Sequence, residues 1–107
     1  MDKNISIRCG IDEKILNQIE DLVLGYKKVE KIVIFGSRAK NSFEKTSDID
    51  IAIFGKTWTD RDINIIKNIL EESLKTPLKI DVVNFYVIKK DRMKENILRE
   101  GAVLYES

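Results

Sequence analysis

The chain has 107 residues, a length that fits one domain with a single hydrophobic core. Its 19 basic and 18 acidic residues leave a net charge of +1, which argues against a domain that holds nucleic acid by bulk charge. Histidine is absent and Cys9 is the only cysteine, which excludes Ser-His-Asp and Cys-His triads, zinc clusters and internal disulfides. No apolar run approaches the ~20 residues that span a bilayer, and residues 1–10 lack the apolar segment of a secretion signal. We therefore expect no membrane segment and a cytoplasmic location, where a lone thiol stays reduced.

Hydrophobic periodicity predicts the elements in chain order. Apolar spacings of three and four indicate helices, whereas β-branched runs and strict alternation indicate strands. The predicted order is helix 11–25, strand 31–35, strand 48–54, helix 59–76, strand 80–83, helix 89–99 and, as an optional last element, edge strand 102–105. The polar residues 37–47 predict a loop between the first two strands. This order predicts an α+β fold, one domain over residues 1–107 with helices packed on a single sheet.

Local signals set several of these boundaries. Asp12 is the predicted N-cap of the first helix, and Gly25 is its predicted stop. Thr59 and Asp62 have the spacing of a capping box at the start of the second helix. Gly101 is the predicted C-cap of the third helix. Each of these predictions can be checked by the hydrogen bonds and backbone conformation at the corresponding helix end.

Three acidic residues lie where strands usually carry apolar side chains. Asp48 and Asp50 are separated by one residue, so both point to one face of their strand, with Cα atoms roughly 7 Å apart. Asp81 lies in the next predicted strand and meets them if that strand lies alongside. Carboxylates held together raise each other's pKa by repulsion, whereas a divalent cation neutralises them. Mg²⁺ prefers oxygen ligands and shares them with phosphates, and a pair of such ions stabilises both oxygens of a phosphoryl displacement.

A second candidate site follows the first predicted strand, at Gly36, Ser37 and Arg38. Glycine lets a phosphate approach the backbone closely, and the amides that follow can form an anion-binding concavity. The hydroxyl of Ser37 can donate to a phosphate oxygen. The guanidinium of Arg38 can bind a phosphate or an acidic neighbour. These residue types in this order therefore predict a phosphate-binding corner.

Each feature also has a purely structural interpretation. A Gly-Ser pair after a strand is commonly a turn, and Asp-x-Asp at a strand start is commonly a solvated end. Asp81 could pair with Lys79 or Lys89. Trp58 is either an exposed anchor for a partner or a cap on the following helix, and we favour the cap. Taken together, these features favour a catalytic site over the structural interpretations. A phosphate corner and three carboxylates fall on successive predicted strands of a domain with no other catalytic set.

These motifs resemble those of a known family. The Gly-Ser pair at 36–37, ten intervening residues and the Asp-Ile-Asp run at 48–50 are similar to the nucleotidyltransferase pattern of the DNA polymerase β superfamily. Longer runs resemble the minimal nucleotidyltransferases of bacteria and archaea, at 35–40, 47–52, 80–83 and 100–101. The resemblance covers nearly the whole chain. It implies a polymerase-β-like nucleotidyltransferase fold, with a mixed β-sheet and helices packed on it.

The resemblance also implies roles for individual residues. The residues implied in binding the triphosphate are Gly36, Ser37 and Arg38. The residues implied as catalytic and as ligands of two Mg²⁺ ions are Asp48, Asp50 and Asp81. The reaction would transfer a nucleoside monophosphate, AMP from ATP as the first expectation, with pyrophosphate leaving. Asn41, where many members have Gly, and Asn84, where relatives often have a further acid, depart from the pattern outside the metal ligands.

The acceptor is not specified by these motifs. In the resembling family the partner is a small helical protein of the HEPN or substrate-binding type, and in some toxin-antitoxin pairs the transferase adenylylates a tyrosine of the helical toxin. We expect a hetero-oligomer of that kind and no direct contact with nucleic acid. A non-catalytic partner-binding module of the same fold and a small-molecule transferase of the aminoglycoside type remain as alternatives. The chain's own tyrosines are expected to be packing residues rather than acceptors: Tyr26, Tyr86 and Tyr105.

Overall fold

The computed structural model describes residues 3–40 and 42–107, and within these ranges the chain forms helices and strands around one sheet. The helices are α1 (Lys3–Cys9), α2 (Glu13–Tyr26), α3 (Asp60–Ser73) and α4 (Asp91–Glu100). The strands are β1 (Lys31–Phe35), β2 (Ile49–Phe54), β3 (Ile80–Asn84) and β4 (Ala102–Glu106). Short 3-10 turns follow β1 and β3, at Gly36–Arg38 and Phe85–Val87. Among these described helices, none combines the length and apolar character needed to cross a membrane.

The strands form one mixed sheet in the order β3-β2-β1-β4. β1 runs antiparallel to both of its neighbours, whereas β2 and β3 run parallel. Parallel neighbours need a crossover connection, and α3 supplies it between β2 and β3. The predicted α+β fold, with helices packed on a mixed sheet, is confirmed.

The two faces of the sheet bury different side chains, because neighbouring residues of a strand point to opposite faces. The larger cluster joins one face to α1, α2 and α3, and it includes Ile34 of β1 and Ile51 of β2. The smaller cluster on the opposite face consists of Val33, Phe35, Ala52, Phe54 and Ile97 of α4. Asp50 is next to Ile51 in β2, so its side chain has the orientation of the smaller cluster. The acidic residues of β2 and β3 therefore lie on the face that carries α4.

Most predicted helix ends are confirmed. Asp12 accepts a hydrogen bond of 2.7 Å from the amide two residues ahead, as an N-cap does. Thr59 and Asp62 form both hydrogen bonds of the predicted capping box. Gly101 is the C-cap of α4, with an extended backbone rather than a left-handed one. Gly25 was wrong as a stop, because α2 continues one residue beyond it.

Other differences from the predicted elements lie close to the candidate site. α1 was not predicted; this seven-residue helix buries Ile5 and Cys9, and one pair at helical spacing gives too little periodicity to detect. β2 begins at Ile49 rather than at Asp48, so Asp48 belongs to the end of the preceding loop. The expectation for Asn41 concerns a residue outside the described ranges.

Candidate active site

Asp50 and Asp81 occupy facing positions near the starts of two parallel strands. β2 and β3 are paired with Asp50 opposite Asp81, and the amide of Ile49 donates to the carbonyl of Lys79 at 2.9 Å. Neighbouring strands lie about 4.8 Å apart, and residues in register have their side chains on the same face. Asp48 precedes β2 directly and is exposed. The structure thus brings Asp50 and Asp81 together, with Asp48 at the adjoining loop end.

The electrostatics of Asp50 reflect this arrangement. Burial raises the pKa of the Asp50 carboxyl above its ordinary value, and the negative charges of Asp81 and then Asp48 raise it further. The positive charge of Lys79 acts in the opposite direction on the same pKa. Both causes of the raised pKa disfavour the ionised form of the carboxyl. A cation placed between these groups would therefore relieve an unfavourable interaction that the fold itself creates.

Lys67 is a site residue that the sequence did not indicate. It lies on α3, and its Nζ is 3.4 Å from Oδ1 of Asp81. The sequence suggested Lys79 or Lys89 as the structural partner of Asp81. The structure pairs Asp81 with a lysine, but that lysine is Lys67. The pair is open to solvent, with 33% of the Lys67 side chain and 47% of the Asp81 side chain exposed. Such pairs contribute only about 0–1 kcal/mol, so the ammonium is readily displaced from the carboxylate.

The acidic residues are of the type that binds magnesium, but in this structure their side chains do not converge on a single point. In the described part of the chain, no three His, Cys, Asp or Glu side chains are grouped closely enough to hold a metal ion. The available donors are carboxylate oxygens, which Mg²⁺ prefers, and the raised pKa of Asp50 marks a place that favours added positive charge. Asp48 is exposed and Asp81 is half-exposed, so both side chains have room to rotate towards an ion. These residues fit a hard divalent ion bound together with a substrate.

Gly36 joins the phosphate corner to the acidic residues. It follows β1 with a φ of +77°, a backbone conformation that side-chain-bearing residues rarely adopt. A Cβ atom added at Gly36 would overlap the carboxylate of Asp50. In the sheet, Phe35 stands opposite Asp50, which places the corner directly beside that carboxylate. Ser37 follows in the same 3-10 turn and is half-buried. The predicted corner and the predicted carboxylates therefore form one continuous site.

Arg38 does not have the position expected of a phosphate ligand. It is 1% exposed and donates hydrogen bonds to the carbonyls of Cys9 and Gly10, both at 3.0 Å. It also donates to the carbonyl of Ser47 at 3.1 Å, and its guanidinium lies 5.2 Å from the centre of the Phe43 ring. Burial lowers the pKa of the Arg38 guanidinium. The donors that could have bound a phosphate are occupied by backbone carbonyls.

The geometry of Arg38 gives it a different place in the site. Its carbonyl partners belong to the end of α1 and to the loop that leads into Asp48. Arg38 itself lies in the turn that begins at Gly36. The buried Arg38 side chain thus connects the phosphate corner, through hydrogen bonds, to the loop that leads into Asp48. Sequence reasoning missed this role because α1, which supplies Cys9, was not predicted.

Two other residues that the sequence singled out are structural. Asn84 is 4% exposed; its Nδ2 donates to the carbonyl of Gly55 at 2.9 Å, and its Oδ1 accepts from the amide of Tyr86 at 3.2 Å. Trp58 is buried, and its Nε1 donates to the carbonyl of Lys28 at 2.8 Å. The structure therefore excludes Trp58 as an exposed anchor for a partner.

Comparison with known proteins identifies relatives in sequence. Residues 17–107 match the family described as polymerase beta, nucleotidyltransferase. The chain is 31% identical over 87 residues to a protein of Methanocaldococcus jannaschii named "Putative protein adenylyltransferase MJ0604". That alignment covers 73% of this chain and 80% of the relative. The family match includes the phosphate corner and the strands β2 and β3 that carry the acidic residues.

Two solved structures share the fold. A toxin-antitoxin crystal structure with AMP-PNP has a TM-score of 0.73 at 22% identity, and the superposition covers 86% of this chain and 73% of that one. A structure of tri-AMPylated Shewanella oneidensis HEPN toxin in complex with MNT antitoxin has a TM-score of 0.70 at 21% identity, covering 89% and 72%. These likenesses confirm the polymerase-β-like arrangement of sheet and helices.

Proposed function

The chain belongs to the polymerase beta nucleotidyltransferase family and is a nucleotidyltransferase, and we propose that it transfers AMP from ATP to a hydroxyl group of a partner protein. The observation that supports this most directly is that β1, β2 and β3 bring the phosphate corner and two acidic residues next to one another. Asp50 and Asp81 face each other on β2 and β3, and Gly36 ends β1 against the same carboxylate. A phosphate at the corner would therefore lie beside the acidic residues.

The proposed reaction assigns a role to each residue of the site. The backbone at Gly36 and the hydroxyl of Ser37 bind the phosphates of the nucleotide. Asp48, Asp50 and Asp81 would hold the ions, and in this proposal Asp81 also takes the proton of the acceptor hydroxyl. Bound Mg²⁺ would neutralise the carboxylates and the triphosphate and polarise the reacting phosphorus. The hydroxyl oxygen bonds to the α-phosphorus, the bond from that phosphorus to the bridging oxygen breaks, and pyrophosphate leaves with the electron pair.

The proposed acceptor is a tyrosine hydroxyl of a HEPN-type helical protein. Support comes from the relative named as a protein adenylyltransferase and from the structural likeness to an MNT antitoxin bound to an AMPylated HEPN toxin. The site is also accessible to a macromolecule, because Asp48 is exposed and 47% of the Asp81 side chain is exposed. A tyrosine from a partner surface can therefore reach the carboxylates from the solvent side.

The test is a labelling reaction with α-³²P-ATP, Mg²⁺, the purified chain and a HEPN-type protein encoded beside it. We expect label on the partner, and loss of label when the acceptor tyrosine is changed to phenylalanine. An Asp50→Asn variant serves as the inactive control. Inhibition of the partner without label would instead indicate the non-catalytic binding module. Label on an added aminoglycoside but on no protein would indicate the small-molecule transferase.

A further inference from the structure

Two arginine side chains cross between α1 and the turn that follows β1. Arg38, in the turn, donates to the carbonyl of Cys9, the residue after Arg8, at 3.0 Å. Arg8, in α1, donates in return to the carbonyl of Ala39, the residue after Arg38, at 3.0 Å from Nη2 and 3.3 Å from Nε. Each arginine of this crossed pair therefore binds the backbone next to the other arginine.

Arg8 also binds the end of α4. Its Nη2 donates to the carbonyl of Glu100, the last residue of that helix, at 2.6 Å. The last carbonyls of a helix have no partner within the helix and carry partial negative charge, so a cation there is favourable. The ion pair between Lys40 and Glu100 spans the same gap at 3.7 Å, but both side chains are well exposed and the pair contributes little. Arg8 is therefore the stronger connection between the turn and α4.

These contacts act on the backbone of the phosphate corner. Ala39 is the C-cap of the 3-10 turn, and its amide donates to the carbonyl of Gly36 at 3.1 Å. Strand β1 fixes the start of the turn, where Phe35 stands opposite Asp50. Arg8 fixes the other end of the turn through the carbonyl of Ala39. A turn that is held at both ends keeps its amides in one position relative to the carboxylates.

Helix α1 lies outside the region that the family match covers. That match begins at residue 17, whereas α1 spans Lys3–Cys9. A helix of seven residues is too short to be stable alone, so its tertiary contacts hold it in place. Ile5 and Cys9 pack into the core, and the crossed arginine pair joins the helix to the phosphate corner. The candidate site therefore depends on a segment that precedes the matched region.

We propose that Arg8 is a positioning residue of the transfer reaction, which acts through the phosphate corner and not by contact with the nucleotide. The proposal rests on the proposed function, because it takes Gly36 and Ser37 as the residues that bind the triphosphate. Without Arg8 the end of the turn has more freedom, and the corner spends less time in the arrangement that binds phosphates. Asp81 lies two strands away on β3, so the affinity for the acceptor protein should not change.

The test is titration of the chain with AMP-PNP in Mg²⁺, which needs no partner protein. Arg8 is exposed, so Arg8→Gln leaves the core intact. We expect its affinity for AMP-PNP to fall by about fivefold or more, the effect of losing roughly one net hydrogen bond. In the labelling reaction the KM for ATP should rise by a similar factor, while the KM for the acceptor stays unchanged. Arg8→Lys keeps the charge without the planar fork and should recover part of the affinity.

Amide hydrogen exchange shows whether the effect passes through the turn. In Arg8→Gln, the amides of Ala39 and Lys40, which both donate to the carbonyl of Gly36, should exchange faster than in the wild type. Arg99→Gln removes the same charge from the last turn of α4 and should change neither exchange nor affinity. Thr59→Ala removes a capping hydrogen bond of α3 and should lower the melting temperature without lowering the affinity.

Several results would overturn the role of Arg8. Normal AMP-PNP affinity in Arg8→Gln would do so, even with faster exchange, because loosening the turn would then have no effect on binding. An equal loss of affinity in Thr59→Ala would attribute the effect to global stability. An equal loss in Arg99→Gln would attribute it to charge alone. If AMP-PNP binding depends on Arg8 but no acceptor is labelled, the proposed transfer fails while the positioning of the corner by Arg8 stands.

Discussion

Asp50 and Asp81 stand opposite each other on the parallel strands β2 and β3, with their carboxylates on the same face of the sheet. The pairing is unfavourable while both are ionised, and the raised pKa of Asp50 records that repulsion together with burial. Holding two ionised carboxylates this close together lowers the stability of the folded chain. A cation bound there would relieve that loss, so the proposed binding of metal would be linked to the stability of the free chain.

Asp50→Asn is expected to separate stability from activity. Removing the partly buried charge relieves the repulsion, so the melting temperature in EDTA should rise by roughly 2–5 °C. Transfer should fall by more than about 100-fold, because the side chain that faces both Asp81 and Gly36 is no longer an anion. Differential scanning fluorimetry and the labelling reaction measure the two effects. Asp21→Asn, at an exposed residue of α2, is the control and should change neither. A lower melting temperature for Asp50→Asn would contradict the electrostatic account.

Gly36→Ala tests the contact between the corner and the carboxylates. The substitution is strained at a φ of +77°, and the added Cβ would overlap the Asp50 carboxylate. We expect a loss of about 1–2 kcal/mol in unfolding free energy, and transfer reduced by at least about 100-fold because Asp50 is displaced. The control is Gly25→Ala in α2, where an added Cβ meets no atom within 4 Å. That variant should gain roughly 0.5–1 kcal/mol and keep full activity. Normal transfer by Gly36→Ala would show that the corner is not part of the site.

Arg38→Met distinguishes an anchor from a phosphate ligand. The buried guanidinium donates to the carbonyls of Cys9, Gly10 and Ser47, so its removal leaves the buried carbonyl of Cys9 and two partly buried carbonyls without this donor. We expect a loss of about 2–4 kcal/mol in unfolding free energy, measured by urea denaturation. Arg38→Lys keeps the charge but not the planar fork, and it should recover less than half of that loss. An unchanged unfolding free energy with a raised KM for ATP would restore the role first expected for Arg38.

The local parts of this site could be predicted from sequence, and the tertiary parts could not. Alternation placed Asp50 on one face of β2, and the Gly-Ser pair marked the corner, because both signals depend on neighbouring residues; Asp48 was predicted in the same strand but lies in the loop before it. The position of Asp81 beside Asp50 depended on β3 lying next to β2, which only the resemblance to a family implied. Lys67 and Arg38 act through α3 and α1, and no local pattern in the sequence indicates those contacts.

Asp62 gives the fold a specific sensitivity to acid. Its carboxylate accepts hydrogen bonds from the hydroxyl of Tyr26 at 2.6 Å and from Lys27 at 2.9 Å, as well as from the backbone of Thr59. These bonds, that of Tyr26 first, hold the pKa of Asp62 well below its ordinary value. Because the folded state lowers this pKa, the ionised carboxylate stabilises the fold above the unfolded value of about 3.9. That stabilisation is lost as the pH falls further towards the folded value.

The corresponding measurement compares the wild type with Asp62→Asn across pH. The difference in melting temperature should be largest between about pH 6 and 8 and should shrink below about pH 4, where the Asp62 carboxylate begins to protonate in the unfolded state while the folded state still keeps it ionised. Asp60→Asn removes the same charge from the same helical turn. The melting temperature of Asp60→Asn should differ less from that of the wild type at every pH. A difference for Asp62→Asn that stays constant down to pH 2 would show that its hydrogen bonds, and not its charge, stabilise the helix start.

If Asp81 binds a metal ion as proposed, Lys67 would compete with that ion. The Lys67 ammonium lies 3.4 Å from the Asp81 carboxylate in a half-exposed pair, so an incoming ion would have to displace it. Lys67→Gln removes that competitor, and we expect the Mg²⁺ concentration for half-maximal transfer to fall by roughly threefold, since an exposed pair contributes at most about 1 kcal/mol. Arg61→Gln, on the same helix, removes the same charge and should leave the Mg²⁺ requirement unchanged. A higher Mg²⁺ requirement for Lys67→Gln would mean that the ammonium supports the bound ion or its phosphates instead of opposing them.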